Sequence, residues 1–260
     1  MTCQEIITIL CKQAPEQYAC SWDNVGLLVG DAHKEVRTIY IALDATEETI
    51  EEAIAQKADM LLTHHPMIFK GLKKVNTEDF IGKRVMSLIR EDIAYYAMHT
   101  NFDVKGMADL AAEKIGLKDS QVLEMTCEDE LGQQGIGKVG MLPDTMEVLE
   151  CAELVKRTFG LEQVKVFGDL NTKVTKAAIC PGSGKSVIGE ALKKGAQVLI
   201  TGDIDHHEGI DAAAQGMAVI DAGHYGVEKI FIPYMKQYLE KHTQGLIILE
   251  QPEKQPFVYV

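Results

Sequence analysis

Two stretches of this chain, 138 residues apart, carry the same succession of apolar runs and amphipathic segments. In the first, TIYIALD (38–44) has the β-branched and aromatic content of a strand. ATEETIEEAIAQKA (45–58) puts Ile50, Ala53 and Ile54 on one helical face, and DMLLT (59–63) is a second strand. IGKRVMSLIRED (81–92) then reads as a helix and IAYYAMH (93–99) as a strand. In the second, KAAIC (176–180) is a strand and PGSGKSVIGEALKKGA (181–196) a turn and helix. QVLIT (197–201) and MAVIDAGH (217–224) are further strands. Strands that alternate with helices need crossover connections, which implies an α/β fold with mainly parallel central strands.

Residues 39–63 align with 177–201 without a gap, and seven of the 25 pairs are identical. Identity at that level is weak by itself, because any two βαβ units share patterning. The residues just beyond each unit add weight. A His-His pair comes next, His64 and His65 directly, His206 and His207 after GDID. Each pair leads to a strand ending in His-x-x-x-acid, His99 to Asp103 and His224 to Glu228. We therefore expect two similar α/β domains from an internal duplication. The expected domains are residues 1–125 and 126–260, with a last strand at about 245–260, carrying Phe257 and Tyr259, returning to the first. Halves packed with strand ends facing would gather the histidines and carboxylates in one cleft.

The pair in LLTHHPMIFK (61–70) limits the local geometry. Neighbouring side chains on a strand point to opposite faces. For His64 and His65 to serve one purpose, the strand must stop near Thr63. Pro66 favours that stop, since it steers His65 away from helix and lacks a backbone donor. Strand-end loops are where α/β folds hold ligands. Two exposed polar loop residues are the plain alternative.

His224 and Glu228 are four apart, so a helix beginning near Gly226 would place both on one side of its first turn. Imidazole and carboxylate together suit Zn, Fe, Mn or related divalent ions. Asp103 supplies a second carboxylate. With His64 and His65, the set holds three histidines and two carboxylates, enough for two ions that share a bridging carboxylate and keep open positions. Each piece has an ordinary alternative. H-x-x-x-E is common as a helix-surface salt bridge. HTNFD (99–103) can equally be a turn in which Asn101 and Asp103 cap the next helix. His206 and His207 lie in the charged stretch DIDHHEGID and suit an outer or solvent-facing place better than ligation. PGSGKS (181–186) fails as a phosphate-binding P-loop, because Ile179 stands where the first glycine is needed. A tight β-to-α turn is the preferred reading there.

Lys plus Arg number 26 against 39 Asp plus Glu, a net charge of −13. That balance argues against a broad nucleic-acid surface. Lys70, Lys73, Lys74, Lys83 and Arg84 form the one dense basic stretch, otherwise readable as a solvated loop and helix. The six cysteines show no C-x-x-C spacing and read as reduced thiols of a cytoplasmic protein. MTCQEIITILCKQ lacks the marks of a signal peptide; Thr2 and Glu5 instead form a capping box for a short helix. No apolar stretch has membrane-spanning length.

Six motifs occur in order: SWDNVGLLVGD (21–31), LLTHHPMIF (61–69), HTNFD (99–103), Gly-Ser-Gly (182–184), ITGDIDHH (200–207) and DAGHYGVE (221–228). In this the chain resembles the NIF-three-like family, often labelled GTP cyclohydrolase I type-two homologue, in its short form without an inserted domain. The resemblance runs from the N-terminal helix to near residue 235. It implies two α/β domains around a dinuclear site and assembly into a homohexameric ring. It also implies the ligands: His65 and Asp103 on one ion, His64 and His224 on the other, Glu228 bridging. The repeat nominates His99 as the mate of His224, whereas the family pattern gives it no ligand role; it is an outer-sphere candidate that orients a ligand or moves a proton.

The expected function is a hydrolase using two divalent ions (Zn, Fe, Mn or similar). A water activated by the ions attacks carbon or phosphorus of a small substrate. GTP is suggested by the family label, with another nucleotide or a phosphoester as alternatives. The competing reading is a non-enzymatic metal-binding or partner-binding ring protein, favoured if the ligands close both coordination shells.

Overall fold

The computed structural model describes residues 1–130, 132–258 and 260. Along the chain run α1 (Cys3–Gln13), β1 (Gly26–Val29), β2 (Thr38–Ala42), α2 (Glu47–Ala55), β3 (Met60–Thr63), α3 (Phe80–Arg90), β4 (Ala94–Ala97) and α4 (Thr100–Phe102). Then come α5 (Ala108–Lys114), β5 (Lys118–Asp129), β6 (Gly132–Glu147), α6 (Val148–Phe159), β7 (Lys165–Phe167), β8 (Lys173–Ser183) and α7 (Ile188–Lys193). The last are β9 (Val198–Gly202), α8 (His206–Ala214), β10 (Ala218–Asp221), α9 (His224–Glu228), α10 (Phe231–His242) and β11 (Ile247–Glu250). Two compact units emerge: Met1–Phe102 with Phe231–Lys254, and Asp103–Ile230 with Gln255–Val260.

The first unit is built on a five-stranded sheet in the order β1-β4-β3-β2-β11. β4, β3, β2 and β11 are mutually parallel, and β1 runs antiparallel to β4. Every residue of β3 and β4 is buried, as parallel strands covered on both faces require. One core face packs Tyr40, Leu61 and Tyr95 against Ile50, Ala53, Val85 and Leu88. α1 begins as its sequence dictates: Thr2 Oγ1 accepts from Glu5 N at 3.3 Å while Glu5 Oε2 accepts from Thr2 N at 2.8 Å. Asp59, expected within a strand, lies just outside β3. Its carboxylate accepts from the backbone N–H of Arg37 and Thr38 (2.8 and 2.9 Å) and pins the entry to β2.

The second unit holds a six-stranded sheet in the order β5-β6-β8-β9-β10-β7. β8, β9 and β10 are parallel; the β5, β6 and β7 pairings are antiparallel. Its core packs Val139, Ala178 and Leu199 against Val187, Ala191 and Ala212. The long β5–β6 pair has no clear signature in the sequence, because glycines and charges interrupt the alternation. Gly135 shows why: a Cβ there would collide with the carbonyl oxygen of Glu124 on the paired strand.

The two sheets share one arrangement: three consecutive parallel strands (β2, β3, β4 and β8, β9, β10), with an antiparallel strand beside the third. HTNFD does not form a capping turn. Residues 100–102 are helical and Asp103–Met107 make a π-helical turn leading into α5. Asn101 is buried and donates from Nδ2 to Ala14 O at 2.8 Å. All six cysteines are free thiols. Among the described residues no helix is long and apolar enough to cross a membrane. Tyr259, counted in the expected terminal strand, lies outside the described residues.

Candidate metal centre

In the first unit β3 stops at Thr63, and His64 and His65 come next on a turn. That turn is clamped from both sides. His65 N donates to Leu43 O at 2.9 Å. Thr63 Oγ1 and the Tyr95 hydroxyl donate to His65 O at 2.8 and 3.0 Å. The same hydroxyl accepts from Met67 N at 2.8 Å. Burial pushes the Tyr95 hydroxyl pKa up to about 12, so it stays a donor. His99, just beyond β4, completes a trio of imidazoles whose ring centroids lie 4.9 Å (His64–His65), 5.3 Å (His64–His99) and 5.5 Å (His65–His99) apart.

Each of the three rings is held by Nδ1. His64 donates from Nδ1 to Met98 O at 2.7 Å. His65 Nδ1 meets Asp44 Oδ1 at 2.8 Å, and His99 Nδ1 meets Asp23 Oδ1 at 2.9 Å. Carbonyl and carboxylate oxygens only accept, so each Nδ1 carries a proton, and Nε2 is the nitrogen that can offer a lone pair. One ring nitrogen from each histidine lies within 4.8 Å of the other two, close enough to hold a metal ion. Burial would raise the Asp23 carboxyl, but hydrogen bonds from His99 and Thr100 outweigh it and hold it down at about 2. Asp23 is therefore a permanent anion beneath His99.

In the second unit α9 starts at His224, two residues earlier than expected, and puts His224 and Glu228 on one side of its single turn. Glu228 Oε2 lies 3.0 Å from His224 Nε2, and Asp203 Oδ2 lies 2.8 Å from Nδ1. Burial alone would lower the His224 pKa, but the two carboxylates override it and raise it to about 9. Asp203 takes a left-handed backbone, φ 53°, to present its carboxylate. Glu228 is buried, and its carboxylate lies where a side chain on residue 182, at the end of β8, would stand. A Cβ on Gly182, at φ +75°, would collide with Glu228 Oε1. Within the PGSG stretch it is Gly182 that leaves room for the Glu228 carboxylate. Carboxylate oxygens of Asp103 and Glu228 lie within 4.8 Å of one another. Both flank Cys180, whose thiol is pushed up by burial and then by these carboxylates with Glu124.

The residues singled out in the sequence thus divide between the units: His64, His65 and His99 lie in the first, Asp103, His224 and Glu228 in the second. His206 and His207 start α8 as exposed residues with rings 5.2 Å apart, in no metal-holding group among the described residues. Sequence reasoning missed Asp23, Asp44 and Asp203, which fix ring tautomers, and Tyr95, which braces the His-His turn. The available signal was modest: Asp44 closes a strand-like run, and Asp23 and Asp203 lie within the quoted motifs.

Fold and donor groups together define an α/β protein with histidine and carboxylate clusters suited to a metal. The chain belongs to the Duf34/NIF3 (NGG1p interacting factor 3) family, whose profile matches residues 1–255. It is 36% identical over 264 residues to a protein of Clostridium perfringens named GTP cyclohydrolase 1 type 2 homolog, covering 100% of both chains. Among solved structures it is similar to a Bacillus cereus protein related to NIF3, with TM-score 0.90, 26% identity and 100% and 99% of the two chains covered. It is also similar to reduced HcgD from Methanocaldococcus jannaschii, with TM-score 0.82, 31% identity and 96% and 97% covered.

Proposed function

We propose that this chain is a dinuclear divalent-metal-dependent hydrolase acting on a small substrate, GTP or another nucleotide or phosphoester. One observation carries the reading: His64 and His65 each have Nδ1 occupied by an acceptor, and a ring nitrogen of each lies within 4.8 Å of the other. That arrangement is the usual way a protein fixes imidazole ligands. The donor set, imidazole with carboxylate, fits Zn, Fe or Mn.

In this reading His65 and Asp103 would hold one ion, His64 and His224 the other, and Glu228 would be a shared ligand. The ions, when bound, supply Lewis acidity and lower the pKa of water. The remaining work belongs to the chain. Asp44 and Asp203 hold His65 and His224 in position. His99, with Asp23 beneath it, can take a proton at Nε2 and return it. The shared strand order of the two sheets supports descent from a duplicated α/β unit. The family resemblance supports a homohexameric ring, and the name of the Clostridium perfringens relative supports a nucleotide substrate.

Metal content per chain, measured on protein purified without chelator, tests the reading. About two ions per chain in wild type, falling sharply in Glu228→Ala, is the expected result. Protein that takes up no Zn, Mn or Fe is not a metal hydrolase, and its histidines then serve a partner-binding role.

A further inference from the structure

Beside the histidine trio stand two aromatic rings that the fold leaves in solvent. Trp22 is 64% exposed and Phe69 48%, high values for large apolar side chains with no core to fill. Both meet His99: Trp22 at 6.0 Å and 76°, Phe69 at 5.7 Å and 84° between ring planes. The placement is built. Asp23, next to Trp22, accepts from His99 Nδ1 at 2.9 Å, and Asn24 Nδ2 donates to Ile68 O at 2.6 Å, one residue before Phe69. Three consecutive residues, Trp22, Asp23 and Asn24, therefore supply a ring, orient the histidine and tie down the loop that carries the second ring.

The loop beyond Phe69 has its own character. Residues 69–80 are all exposed, and Lys70, Lys73 and Lys74 form no ion pair among the described residues. The three lysines cluster in the loop's first half, ahead of Glu78 and Asp79, and leave the segment slightly positive in a chain of net charge −13. Aromatic faces next to free cations are what a planar ring carrying phosphate requires.

We propose that Trp22 and Phe69 bind the heteroaromatic ring of a nucleotide and that Lys70, Lys73 and Lys74 receive its phosphates. The inference rests on reading the histidine cluster as a nucleotide site, and it names the residues that select the ligand. Trp22 and Phe69 contribute to recognition because every base offers a π-face, so preference for one base is weak and preference for a ring over bare phosphate is strong.

Trp22 is the chain's single tryptophan, so its fluorescence reports on this place alone. The test titrates the full-length protein, as purified and after chelation, with GTP, ATP, guanosine and tripolyphosphate. GTP and ATP should quench saturably, guanosine more weakly, and tripolyphosphate not at all. Phe69→Ala should raise the nucleotide dissociation constant about tenfold, as expected for one lost stacking partner, and Phe69→Tyr should restore it. Unfolding midpoints should not move, since the ring is exposed. Absence of saturable quenching by either nucleotide overturns the proposal, as does wild-type affinity in Phe69→Ala. Metal content of the same samples separates the two readings. Bound metal without nucleotide quenching sinks only the ring-binding proposal. Quenching that Phe69→Ala weakens, in protein that never holds metal, upholds it and sinks the hydrolase.

Discussion

Glu228 Oε1 occupies the space that a side chain on residue 182 would need. Gly182 also has φ +75°, a conformation that L side chains rarely adopt. Gly182→Ala therefore carries two penalties, backbone strain and displacement of the Glu228 carboxylate. It should destabilise the protein by about 1–3 kcal/mol in urea unfolding and lower its metal content. An unchanged midpoint with unchanged metal content would show that the carboxylate has room to move.

The Tyr95 hydroxyl ties the backbone on both sides of His65. Tyr95→Phe keeps the ring and leaves Met67 N–H without this buried acceptor. The expected loss is about 1–3 kcal/mol of stability. Metal affinity should fall in the same variant, because the turn that aims His64 and His65 loosens. Isothermal titration with zinc would read the second effect.

Asp44 meets the proposed centre through His65 Nδ1 and is half exposed. Asp44→Ala should cost about ten- to hundredfold in metal affinity, the usual range for an outer-sphere partner. Stability should move by less than about 0.5 kcal/mol, as at most surface positions. A stability loss without an affinity loss would make Asp44 a purely structural residue.

His224, held between Asp203 and Glu228 with its pKa raised to about 9, is an imidazolium at neutral pH in the metal-free protein. A folded pKa above the ordinary 6.5 adds stability that is complete below about pH 6.5 and is lost as pH rises through about 9. Metal affinity runs the opposite way, because an ion must displace the Nε2 proton. It should climb with pH up to about 9, with proton release visible as a buffer-dependent binding heat. Asp203→Asn should lower the pH at which affinity levels off. A pH-independent affinity would remove His224 from the ligand set.

Much of the framework was legible in the sequence because it rests on local periodicity. The buried parallel strands β3 and β4 stand out as short apolar runs, α1 announces itself through Thr2 and Glu5, and Pro66 marks the stop after His64 and His65. Composition and spacing were enough to nominate His64, His65, Asp103, His224 and Glu228 as donors of metal-binding type. The β5–β6 pair was not legible, because Gly135 answers to a carbonyl on the facing strand and breaks the alternation a strand would show. Asp23, Asp44, Asp203, Tyr95 and Gly182 could not be ranked for the same reason. Asp23 and His99 are 76 residues apart, so the pair makes no pattern that a window along the chain can see. The sequence by itself determined which residue types end each strand and hence the kind of chemistry available there. Tertiary structure alone decided which ring nitrogen faces outward, which carboxylate stands behind it and which glycine gives it room, since these are set by contacts between segments that only folding brings together.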